Sequence, residues 1–174
     1  MSNNVIEIGW NTFNGCSNLS SISLPTNIVK IGATAFSGCK SLTEIYIPKT
    51  LNDCFNAFHG SGIVTAEFEN GRTAVPYGIF RNSTNLKNVT IPDTVITIGE
   101  NAFQSCTSLE TLRIPEYVTE IGGNAFEGCS NLSGVSLPPN IVKIGGTAFS
   151  GCKAFTEIYL SLIHISEPTR LQLI

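Results

Sequence analysis

A phenylalanine recurs along this chain at Phe13, Phe36, Phe58, Phe80, Phe103, Phe126 and Phe149, in steps of 23, 22, 22, 23, 23 and 23 residues. A fixed period of this length decides the architecture before any local pattern does. Each unit is too small to bury its own apolar face and must stack on its neighbours. Other columns keep the same register. Three residues past each phenylalanine stand Cys16, Cys39, Ser61, Ser83, Cys106, Cys129 and Cys152. Six past it, in the regular units, stand Leu19, Leu42, Leu86, Leu109, Leu132 and Phe155, and Pro25, Pro48, Pro92, Pro115 and Pro138 close their units.

The column chemistry predicts what each unit does. The segment L-x-x-L-x-I-P, as in Leu109 to Pro115, ends in apolar–polar alternation, the period of a half-buried strand. One such strand per unit can pair only with its equivalents in neighbouring units, as a parallel ladder. The proline, which cannot donate to that ladder, ends the strand. Gly9, Gly32, Gly99, Gly122 and Gly145, each after an isoleucine, suit a tight turn or a close backbone approach. The A-F-x-G-C piece is too short for a regular helix and is expected to make one helical turn with its phenylalanine inward. The result is a right-handed solenoid, mostly β by content, and seven coils at about 4.8 Å per rung stack to about 30–35 Å.

The pattern I-G-x-x-A-F-x-G-C-x-x-L-x-x-I-x-I-P resembles the BspA-like leucine-rich repeat, the TpLRR class, from Val5 to about Tyr159. The resemblance implies an α/β leucine-rich-repeat solenoid with a parallel β-sheet on its concave face and short strands and helical turns on the convex side. It implies a surface or secreted protein of the kind that bacteria and some protists use to adhere to and bind host or extracellular-matrix proteins. The family motif has no catalytic residue to carry over.

Residues 1–160 are expected to form a single array of about seven units of 22–23 residues. The third unit is degenerate: Asp53 and Cys54 stand for Ile-Gly, and Gly60 to Ile63 replaces G-C-x-x-L with one residue fewer. Its strand is predicted near Thr65 to Phe68, followed by a turn over Glu69 to Arg72. Glu120 to Tyr159 repeats Glu7 to Tyr46 at 31 of 40 positions, so a block of five units was duplicated. After Tyr159 the repeat stops. The eleven residues Leu160 to Arg170 read as the translation of a transposon-end adapter from sequencing libraries, and 161–174 is expected to be a non-native tail. The chain starts in register with a repeat and without a signal-peptide pattern, so it is expected to be an internal piece of a longer array. End-to-end self-association is expected of such a fragment.

Composition narrows the chemistry. Charged residues are 13% of the chain and the net charge is −3, with no basic patch for nucleic acid. No run of 18 apolar residues offers a membrane span. Five of the six cysteines share one column, where stacked rungs hold side chains parallel at about 4.8 Å. That geometry suits neither a disulfide nor four thiolates converging on zinc, so buried reduced thiols are expected, with Cys54, outside the column, as the exposed one. Histidine occurs only at His59 and His164 and aspartate only at Asp53 and Asp93, too few for a Ser-His-Asp arrangement or a histidine metal site. No catalytic, cofactor or metal site is expected. The N-x-[ST] triplets at Asn18, Asn82, Asn88 and Asn131 are as well explained by repeat composition as by glycan attachment.

Binding is expected where strand side chains face away from the core. Two columns are readable there: Ser21, Glu44, Thr65, Asn88, Thr111, Gly134, Glu157, and Ser23, Tyr46, Glu67, Thr90, Arg113, Ser136, Tyr159. Tyrosine and arginine are enriched at binding hot spots, which selects Tyr46 with Glu44 and Glu67, and Arg113. A second column, Trp10, Ala33, Phe55, Tyr77, places Phe55 beside Tyr77. The expected function is a non-catalytic protein-binding or adhesion module. A passive spacer, or the repeat region of a larger enzyme, is the alternative.

Overall fold

The computed structural model describes residues 4–160, so the tail from Ser161 lies outside the described residues. Strand-forming residues appear twice per repeat, and two rows of short strands result. The first row comes from the x-x-I-G segments: β1 (Glu7–Ile8), β2 (Lys30–Ile31), β5 (Ala74–Val75), β7 (Thr97–Ile98), β8 (Glu120–Ile121) and β10 (Lys143–Ile144). The second comes from the segments before the prolines: β3 (Glu44–Ile47), β4 (Thr65–Phe68), β6 (Asn88–Thr90), β9 (Gly134–Leu137) and β11 (Glu157–Leu160). All pairings are parallel and join a strand to its equivalent in the adjacent coil. The expected parallel ladder is there, and so is the degenerate unit's strand at Thr65–Phe68. The sequence reading missed the first row, because two residues are too short for an alternation to show. It also expected a strand in every unit, whereas none forms over Leu19–Pro25 or Leu109–Pro115, and β6 and β9 therefore lie in separate sheets.

The core is the stack of columns. Phe36, Phe58, Phe80, Phe103 and Phe126 are fully buried. Successive rings from Phe13 to Phe149 lie 5.2–6.0 Å apart and within 26° of parallel. Full burial of such a side chain stabilises by about 1.5–3 kcal/mol. Gly99 is the close approach that the isoleucine–glycine pair suggested: a Cβ there would sit 2.6 Å from Val75 O.

The expected helical turns are not formed. Among the described residues there is no helix, and the A-F-x-G-C segments are turns. The backbone explains the difference. Residues four apart, such as Asn11 (φ 53) and Gly15 (φ 76), adopt the left-handed conformation, and a right-handed helix cannot run through them. Between them the chain makes i to i+3 bonds, Asn14 N–H to Asn11 O (3.0 Å) and Cys16 N–H to Phe13 O (3.1 Å). Alternate N–H groups then point along the stack: Phe13 N–H donates to Ala35 O and Gly15 N–H to Ser37 O, both at 2.8 Å. The turns thus form a third ladder, made of alternate hydrogen bonds between coils. Even Thr34 (φ 57) and Thr147 (φ 58) accept this strained conformation; their hydroxyls bond the side chains of Asn11 and Asn124 in the preceding coil.

The third coil carries a correction. Lys30 pairs with Asp53, which puts Cys54 level with inward-facing Ile31 rather than in the glycine column. Phe36 follows Ile31 at an offset of five but Phe58 follows Cys54 at an offset of only four, so the missing residue falls after the cysteine. Cys54 is therefore buried, not exposed, and Cys16, in the first coil, is the exposed thiol. The first strand row breaks between Asp53 and β5. Arg72, the residue that ends the E-N-G-R turn, spans this break: it is 3% exposed and replaces the apolar residue that Leu51 and Val95 supply in neighbouring coils. Its guanidinium donates to Ala74 O (2.6 Å), Leu51 O (3.0 Å) and Pro48 O (3.4 Å) and lies over the Phe68 ring at 5.0 Å.

Candidate functional site

The strand alternation that buries Ile45, Ile47, Ala66 and Phe68 must turn their neighbours outward. On the three-stranded sheet β3–β4–β6 these are Glu44, Tyr46, Thr65, Glu67, Asn88 and Thr90. The register lines up Glu44, Thr65 and Asn88 in one row across the sheet and Tyr46, Glu67 and Thr90 in another, as the two sequence columns required. Tyr46, Glu44 and Glu67 come together around a groove of about 320 Å³ lined also by Ser20, Ser21, Ile22, Thr43, Ile45 and Thr65. Tyr46 is 49% exposed. Its phenol pKa is raised, first by partial desolvation and then by the carboxylates of Glu69 and Glu67.

Neighbouring charges are spoken for, and these two are not. Glu69 accepts from the Lys49 backbone N–H at 2.8 Å and faces its ammonium at 3.8 Å. Arg113, 62% exposed, is tied to Asp93 at 2.7 Å. The four ion pairs among the described residues are Lys30–Glu7, Lys49–Glu69, Arg113–Asp93 and Lys143–Glu120, so Glu44 and Glu67 take part in none. None of the nine groove residues is basic.

The other expected residues lie apart from this cluster. Arg113 lines a second groove of about 280 Å³ with Glu116, Ser136, Pro138 and Pro139. Phe55 and Tyr77 stack at 4.8 Å, as their column predicted, and Arg81 lies 5.6 Å over Phe55. Gly78 makes this stack fit, since any Cβ there would strike the Phe55 ring. Glu157 and Tyr159 belong to β11, whose backbone is in register with Gly134 and Ser136 of β9.

Sequence reasoning treated the cysteine column as apolar filling and missed a second role. Cys39, Cys106, Cys129 and Cys152 each place Sγ 3.1–3.2 Å from the carbonyl of a phenylalanine in the preceding coil. Ser83, in the same column, sets its hydroxyl 3.4 Å from Phe58 O, and that shared donor was the available signal. Burial pushes the thiol pKa up to about 12 at Cys54 and Cys129, up to about 11 at Cys152 and well up at Cys106. These are structural thiols, not nucleophiles. Asn56 Oδ1 is buried without a partner because Gly78, one coil on, has no hydroxyl to match those of Thr34 and Thr147. Among the described residues no group of His, Cys, Asp or Glu is arranged to hold a metal ion. No helix among them is long and apolar enough to cross a membrane.

The phenylalanine stack runs through every coil from Phe13 to Phe149, and the same repeat identifies the family. Residues 1–55 and 54–168 match, in six copies, the BspA type leucine rich repeat region. The chain belongs to the BspA-type leucine-rich repeat family. Leucine-rich repeat domains generally mediate protein interactions. Solved structures agree on the fold. A leucine-rich repeat protein from Bacteroides ovatus is 28% identical, with a TM-score of 0.69 over 91% of this chain and 47% of its own. A leucine rich cell surface protein from Faecalibacterium prausnitzii is 23% identical, with a TM-score of 0.64 over 90% of this chain and 52% of its own. The Treponema pallidum leucine rich repeat protein is 24% identical, with a TM-score of 0.57 over 88% and 57%. The chain thus spans about half the length of these structures. Among curated protein sequences none is similar enough to count as a relative.

Proposed function

We propose that this BspA-type repeat array is a non-catalytic protein-binding module of a surface or secreted protein, and that it takes up its partner on the face of β3, β4 and β6. One observation carries the reading: a half-exposed tyrosine and two carboxylates outside any ion pair surround a groove on a sheet whose backbone is held rigid by its ladders. Rigid elements present an aromatic anchor at little entropic cost, which suits recognition of another protein. The repeat family and the cell surface protein among the similar structures support a surface location. Arg113 and the Phe55–Tyr77 stack are outlying contacts in this reading.

Retention of beads coated with the chain on an array of extracellular-matrix proteins tests it. Tyr46→Ala should lower retention at least five-fold, while Gln104→Ala, on a turn remote from the strands, should leave it unchanged. Equal retention for both variants, or none for the parent chain, would place the array among passive spacers.

A further inference from the structure

The groove around Tyr46 also specifies what kind of partner it takes. We infer that the partner presents a cationic side chain, a lysine or an arginine, to this groove; the inference rests on the protein-binding reading above. Three side chains define the site. Tyr46 and Glu67 are directly registered on paired strands, about 4.8 Å apart at the backbone. Glu44 precedes Tyr46 by two residues on the same face of the same strand, about 6.6 Å away. One carboxylate therefore flanks the ring across the sheet and the other along the strand, and the ring face between them attracts a cation through its quadrupole.

The surroundings leave that charge uncompensated. The third nearby carboxylate, Glu69, is held by Lys49, and the groove lining adds serines, threonines and isoleucines but no base. An acidic or neutral side chain docked here would bury carboxylates against no counter-charge, which is costly. A guanidinium or ammonium meets both carboxylates and the ring at once.

Backbone amide NMR on the full chain, titrated with acetyl-arginine amide and with the isosteric but uncharged acetyl-citrulline amide, reads this directly. The arginine probe should shift the amides of Glu44–Ile47 and Thr65–Phe68 in a saturable way, and the citrulline probe should bind at least five-fold more weakly. Glu44→Gln with Glu67→Gln should abolish that difference, whereas Glu110→Gln, on another coil, should not. Equal binding of the two probes overturns the proposal, as do arginine-induced shifts spread over Glu110 and Glu116. The broader reading fails separately. If a matrix protein is retained through Tyr46 and its lysine-acetylated, arginine-blocked form is retained equally well, docking stands and the cationic partner is wrong. If retention ignores Tyr46→Ala, the docking face itself is wrong.

Discussion

Truncating Phe103 to alanine removes a ring from inside the stack, wedged between Phe80 at 6.0 Å and Phe126 at 5.4 Å and with no exposed surface. Core Phe→Ala changes cost about 3–5 kcal/mol, the spread depending on how far the site collapses. Collapse is restricted here, because the backbone on both sides is pinned by the ladder: Phe103 N–H donates to Ala125 O and Phe80 N–H to Ala102 O. Two ring pairs, each about 0.5–1.5 kcal/mol beyond area burial, are lost together. The expected loss is therefore about 4–5 kcal/mol, a large part of the roughly 5–15 kcal/mol of a whole domain. Phe13, partly exposed and stacked only on Phe36, should cost about 1–2 kcal/mol when truncated. Stability in a stacked array is a sum of units and nearest-neighbour interfaces. Phe103→Ala should accordingly split the urea transition followed by far-UV circular dichroism, with amides before and after coil five exchanging at different rates. Equal losses for Phe103→Ala and Phe13→Ala, with one cooperative transition in each, would refute the coil-by-coil account.

The buried thiols predict a pH dependence. Their folded pKa values lie above the ordinary 9, at about 12 for Cys54 and Cys129 and about 11 for Cys152, so the folded state holds its protons where the unfolded state releases them. That stabilisation is complete below pH 9 and is lost as pH rises toward 11–12, at about 1.4 kcal/mol per pH unit for each such thiol; urea midpoints at pH 8 and pH 10 check it. Under native conditions at pH 8 a chromogenic disulfide should label Cys16 rapidly and Cys54 only on unfolding, a contrast read by mass spectrometry. Arg72→Ala should cost about 3–5 kcal/mol, since it strips three buried carbonyls of a charged donor and leaves a cavity; Arg72→Lys, which cannot fork to them, should recover less than half. Thr34→Asn, which places a residue tolerant of φ 57, should raise stability by up to about 1 kcal/mol in the same urea assay.

Much of the site was legible before any coordinates. The outward columns holding Glu44, Tyr46 and Glu67 follow from alternation and a constant period, and the observed register matches them residue for residue. The Phe55–Tyr77 contact followed from a separate column of the same period. What stayed hidden depended on conformations the pattern does not carry. The left-handed residues at Asn11, Thr34 and Asn124 turn an expected helical turn into a hydrogen-bonded ladder. The freedom of Glu44 and Glu67 is not legible in a column, because ion pairs here follow no single rule: Lys30–Glu7 and Lys143–Glu120 span one repeat of 23 residues, whereas Lys49–Glu69 and Arg113–Asp93 span 20.

The sequence by itself determined the stacked architecture, the inward phenylalanines and the parallel pairing, since a period repeated seven times leaves one way to bury every apolar column. Only the tertiary structure decided the third coil. A missing residue can be placed on either side of Cys54 in the sequence, but backbone pairing of Lys30 with Asp53 fixes it after the cysteine and turns the thiol inward. Ala74 O borders this break and accepts from the Arg72 guanidinium together with Leu51 O and Pro48 O, so Arg72 can stay buried in an otherwise apolar column.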